Sequence, residues 1–81
     1  MYTKKQFGNE LKKMILNHEP IYTIGSWAHD KYYENISNID LELGELLLQF
    51  GTMEIGHEFS RSYEELESIA DRLIAGKDVK L

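Results

Sequence analysis

Apolar positions recur along this chain at helical spacing in four stretches. Phe7, Leu11, Met14, Ile15 and His18 follow one another at i, i+4, i+7, i+8 and i+11, which predicts an amphipathic helix over about 3–18. Thr3 and Gln6 stand at the spacing of a capping box, where each side chain can satisfy an orphan backbone donor. Gly8 weakens that helix by about 1 kcal/mol relative to alanine, and the proline at position 20 is a reason for it to stop.

A second stripe, Ile21, Ile24, Ala28 and Tyr32, with Trp27 on its border, predicts a helix over 20–35. Pro20 suits its first turn, where a missing N–H costs nothing. Gly25-Ser26 opens an alternative, a shorter helix capped by Ser26 with an extended arm before it; one continuous helix is the preferred reading.

The third stripe, Ile39, Leu43, Leu46, Leu47, Phe50 and Met53, predicts a helix over 38–55, starting near Asn38 or from Ser37 paired with Asp40. Leu41 and Leu48 widen it to a second face, so this helix is expected to be the most buried. Gly44 and Gly51 either admit a close neighbour or are simply tolerated, and Gly56 is a stop signal. The fourth helix, over 62–75, has the clearest start. Ser62-Tyr63-Glu64-Glu65 supplies a serine cap, a glutamate three residues on and acidic charge near the positive end of the helix dipole. Leu66, Ile69, Ala70, Leu73 and Ile74 form its stripe and Gly76 is a left-handed terminator. Four such helices on short connections predict a single all-α domain, a four-helix antiparallel bundle or a compact orthogonal array.

Composition narrows the function classes. Eighty-one residues, 42% of them hydrophobic, make one domain and exclude a disordered chain. No run of about 18 uncharged apolar residues is present, and no apolar stretch after Lys4-Lys5 reads as a secretory signal. The expectation is a cytoplasmic protein with no membrane partner. Without cysteine there is neither a disulfide framework nor a thiolate metal site. A sequence pI near 5.1 argues against nucleic-acid binding, which needs phosphate-neutralising Lys and Arg.

Candidate chemistry is sparse. His18, His29 and His57 lie in no recognisable nucleophile motif, and no phosphate-binding glycine loop is present. Glu54-x-x-His57 has the spacing of a di-iron carboxylate pair, but a second pair is missing and Gly56 interrupts it. Asp30 and Glu34 read as a polar helix face. No enzyme activity, cofactor or metal is expected.

The charge distribution is more informative. Residues 38–58 carry Asp40, Glu42, Glu45, Glu54 and Glu58 with no Lys or Arg, whereas residues 1–19 carry Lys4, Lys5, Lys12 and Lys13 against Glu10 and Glu19. The formal net charge of −5 is therefore a charge asymmetry. Either the acidic third helix is a binding face for a basic partner, or the basic first helix packs beside it and neutralises it. Trp27, Tyr32 and Tyr33 concentrate aromatic area in the second helix, a residue class favoured at protein interfaces. The expected function is protein binding, with Asp40, Glu42 and Glu45 as acidic contacts and Trp27, Tyr32 and Tyr33 as aromatic anchors. A homo-oligomer covering the apolar excess of the third helix is the alternative.

Ser26-Trp27-Ala28, the leucine-rich acidic stretch from Asp40 to Leu48 and Ser62-Tyr63-Glu64-Glu65-Leu66 together resemble the small all-helical immunity proteins of bacterial toxin–immunity systems. The resemblance spans roughly residues 24–74 and is one of pattern. It implies a protein that binds and blocks a toxin domain, often a nuclease with a basic surface, with acidic residues imitating phosphate charge.

Overall fold

Three of the four helices begin where a side chain takes up one of the first unpaired N–H groups; the second follows a proline instead. The computed structural model describes residues 1–51, 62–77 and 79. Helix α1 runs Lys4–Leu16, α2 Ile21–Glu34, α3 Leu41–Gly51 and α4 Tyr63–Ile74. Thr3 caps α1 in a complete capping box with Gln6, and Ser62 caps α4 by accepting from the Glu65 N–H. Pro20 lies just before α2, and Gly25-Ser26 runs through that helix without a break.

Two ends close by the same device. The His18 and Glu19 N–H groups donate to the Ile15 and Met14 carbonyls, and those of Gly76 and Lys77 to Leu73 and Arg72. Both are Schellman motifs, which need a residue with positive φ just past the cap. Gly76 supplies it at φ 78° and His18 at φ 54°. A non-glycine residue pays for that conformation in steric strain.

The start of α3 differs from the expected Asn38. The Tyr2 N–H donates to the Asn38 carbonyl (2.9 Å) and Tyr2 forms an isolated parallel bridge with Ile39. Residues 38–40 are thereby held against the N-terminal segment, and the helix starts only at Leu41. The cap is Asp40 itself, whose Oδ1 accepts from the Leu43 N–H at 3.0 Å. The expected continuation over 52–55, with Met53, and the stop at Gly56 lie outside the described residues.

The four helices form an all-α bundle of two pairs, α1 against α4 and α2 against α3. Phe7, Leu11, Ile24, Leu43, Leu47, Phe50, Leu66 and Leu73 are its fully buried large side chains, drawn from all four helices. Each contributes about 1.5–3 kcal/mol relative to an exposed position. Phe7 lies at the centre, edge-on to Phe50 and stacked on Trp27 at 4.9 Å. Among the described residues no buried side-chain polar atom is left without a partner. The Cα radius of gyration of 11.3 Å matches the roughly 12 Å expected of a close-packed chain of this length.

Gly8 and the third-helix glycines play different parts. A Cβ on Gly8 would stand 2.9 Å from the Ala70 carbonyl oxygen and 3.0 Å from Leu73 Cβ, so α4 crosses α1 at this point. At Gly44 and Gly51 the nearest atoms belong to Tyr32 and His29 of α2 at 3.4 Å, which is ordinary contact.

One expectation about α3 is corrected. Leu43, Leu46, Leu47 and Phe50 are buried, but the second apolar face is not: Leu41 is 84% exposed and Leu48 44%. Among the described residues α2 is the helix packed most closely on α3, and it leaves the side of Leu41 and Leu48 uncovered.

Candidate functional site

The six residues singled out for partner binding occupy distinct settings. Asp40 is committed to capping α3. Glu42 extends from the first turn of α3 to Lys4 Nζ at 3.0 Å, a pair that exists because Tyr2 anchors the N-terminal segment beside residues 38–40. Glu45, one turn further along, is exposed and has no ion-pair partner among the described residues. Trp27 is half-buried, its ring stacked on Phe7. Tyr32 is half-buried against the core and against Gly44. Tyr33 is exposed, with edge-on contacts to Tyr32 and His29.

Only Tyr32 and Glu45 of the six share a depression in the surface. It is a groove of about 450 Å³ at the corner where α2 leads into α3, lined also by Met1, Ile36, Leu41 and Leu48. All four are exposed large apolar residues, with Met1 71% and Ile36 53% exposed. Among the described residues no Lys or Arg lines the groove. Trp27 lies instead on a separate, more polar depression beside Tyr22, Ser26 and Asp30. The acidic and aromatic residues therefore do not form one continuous site.

Sequence reasoning missed Ile36 and Met1 because neither belongs to a periodic stripe. Leu41 and Leu48 are visible in the sequence as an apolar excess, expected inside the fold or, in the alternative, under a second copy of the chain. It also missed Tyr63, whose hydroxyl donates to the Glu19 carbonyl at 2.6 Å and ties α4 to the α1–α2 turn.

The electrostatics do not follow a simple pairing of basic α1 with acidic α3. Lys12 pairs with Asp71 of α4, and Lys31 of α2 stands 3.7 Å from Glu10. Lys4 alone of the α1 lysines is paired with an α3 carboxylate among the described residues. The Lys12 ammonium is held above its ordinary pKa by its hydrogen bond to Asp71. Tyr2 is the most perturbed group: burial, then the hydrogen bond its hydroxyl donates to Glu10 at 2.6 Å, push its phenol well above the usual tyrosine range.

His18 faces Tyr63 at the end of α1, and His29 stands between Tyr33 and Gly51. Among the described residues no group of three His, Cys, Asp or Glu side chains could hold a metal ion; the Glu54–His57 pair lies outside them. No helix among the described residues is long and apolar enough to cross a membrane. Comparison with protein families, curated proteins and solved structures finds no match.

Proposed function

We propose that this chain is a non-enzymatic protein-binding module, and that its most specific form is an inhibitor of a basic toxin domain. One observation carries the reading: Met1, Ile36, Leu41 and Leu48 crowd their exposed apolar side chains around a single groove. Scattered surface apolar residues are ordinary, but a contiguous patch rimmed by polar groups marks an interaction site. The net charge of −5 and the exposed carboxylates of α3 favour a basic partner, because opposite fields steer encounter and suppress wrong partners.

The reading is tested by selecting ligands from a displayed peptide library on the purified chain. Selected ligands should lose binding to a Leu41→Asp, Leu48→Asp variant that retains the parent's helicity. If selection enriches nothing over an unrelated helical domain, the binding reading fails. The toxin-inhibitor form is tested with the product of the adjacent gene. Expressing this chain should relieve the harm done by that product and co-purify with it; equal harm with and without the chain excludes that form.

A further inference from the structure

We infer that the α2–α3 groove receives an amphipathic segment of a partner protein, apolar side chains inward, with a Lys or Arg placed to pair with Glu45. This rests on the protein-binding reading and gives it a location and a ligand chemistry.

The charge argument comes from what the other acidic residues are already doing. Asp40 uses a carboxylate oxygen to cap α3, and Glu42 is held by Lys4. Glu45 is the carboxylate lining the groove, and it has no ion-pair partner among the described residues. Apart from Met1, which carries the terminal ammonium and makes no ion pair with Glu45, its described neighbours in the groove are apolar or neutral, Ile36, Leu41, Leu48, Tyr32 and Gly44 among them. An apolar floor with one unmatched negative charge is complementary to an apolar segment bearing one positive charge. Helix-in-groove recognition uses the same division, with apolar anchors supplying affinity and charges fixing register.

The alternative occupant, a second copy of this chain, meets the same chemistry with the wrong sign. An isologous contact sets a patch against itself. It would bring Glu45 toward its counterpart in a groove whose described lining holds no Lys or Arg, between two molecules of net charge −5. Like charges brought together in this way disfavour the pairing.

The test uses two short fluorescent peptides of the same amphipathic pattern, one of Leu and Lys and one of Leu and Glu, titrated into the full chain by anisotropy. Three variants accompany it: Leu41→Asp, Glu45→Lys, and Glu64→Lys as a control that changes net charge equally on α4. The Leu/Lys peptide should bind, more weakly as salt rises. Leu41→Asp should weaken it about tenfold or more, the equivalent of one buried leucine. Glu45→Lys should weaken it clearly more than Glu64→Lys. Ile36→Asp provides a second apolar variant should Leu41→Asp alter the helicity.

If the Leu/Lys peptide binds but none of the groove variants affects it, the groove assignment is overturned while the binding-module reading stands. Equal binding of the Leu/Glu peptide overturns the charge assignment. A concentration-dependent dimer that Leu41→Asp dissolves makes the occupant a second copy and overturns the proposal. If neither peptide binds, the proposal falls, and the library selection described above then decides the broader reading separately.

Discussion

Replacing Gly8 by alanine sets helix propensity against packing, and the two predict opposite signs. By propensity alone the substitution should stabilise α1 by about 1 kcal/mol. The tertiary structure opposes it. The new methyl would lie 2.9 Å from the Ala70 carbonyl oxygen, 3.0 Å from Leu73 Cβ and 3.1 Å from Ile74 Cγ1. Comfortable carbon–carbon contact needs about 3.5–4.0 Å, so α1 and α4 must separate by roughly half an ångström or more. Two of the obstacles are a backbone oxygen and a Cβ, which cannot swing aside as a flexible side-chain end would. Overpacking of this kind costs about 1–3 kcal/mol, and the net expectation after the propensity gain is destabilisation by up to about 2 kcal/mol. Gly44→Ala is the internal control. It offers a similar propensity gain, but its nearest new contact is Tyr32 Cε1 at an ordinary 3.4 Å, so it should be neutral or stabilise by up to about 1 kcal/mol. Urea denaturation followed by helical circular dichroism measures both, with a constant m-value confirming that the unfolded states are comparable. In thermal melts of a domain this size each kcal/mol is about 4–8 °C. Should Gly8→Ala raise the midpoint as Gly44→Ala does, the close approach of α1 and α4 at this point is refuted.

Further outcomes follow from other features. His18→Gly removes a side chain from a left-handed backbone position and should stabilise the α1 terminus by about 0.5–1 kcal/mol, less whatever the edge contact with Tyr63 contributes; a lower denaturation midpoint would count against strain at this residue. Tyr2 has a raised pKa in the folded chain, so above about pH 10 the unfolded state releases a proton that the folded state retains. Stability should be fully present below that pH and fall as pH rises above it, with Tyr2→Phe showing a shallower alkaline decline in denaturation midpoints. Leu41→Ala should change stability by no more than about 0.5 kcal/mol, whereas Leu43→Ala, two residues away and fully buried, should cost about 2–5 kcal/mol; similar values for the two would contradict the outward face of α3.

The features legible in the sequence are those carried by near neighbours. The Thr3–Gln6 box, the Ser62 cap and the Gly76 terminator are each contained within a few residues, and the structure has all three. His18 escaped the same reading because positive φ is uncommon in any non-glycine residue, histidine included; its role appears only in the hydrogen bonds of the Schellman motif. The delayed start of α3 escaped as well, because Tyr2, some 35 residues earlier, holds residues 38–40 out of the helix. Of the groove, Tyr32 and Glu45 were named from residue type and charge. Ile36 and Met1 were not, since each joins the site only through the path of the chain between elements.

By itself the sequence determined four helices, most of their ends and the buried stripe of each, because a 3.6-residue repeat and a cap are local properties of the chain. Tertiary structure decided which helices pair, and with that the meaning of the charge and of the surplus leucines. With α1 against α4, Lys12 serves Asp71 and Lys4 alone of the α1 lysines is paired with α3 among the described residues. With α2 covering one side of α3, Leu43 and Leu47 are enclosed while Leu41 and Leu48 face outward beside Glu45. Helical periodicity says which residues share a face. Whether a neighbouring element covers that face depends on contacts between residues far apart in the chain, and no local pattern contains them.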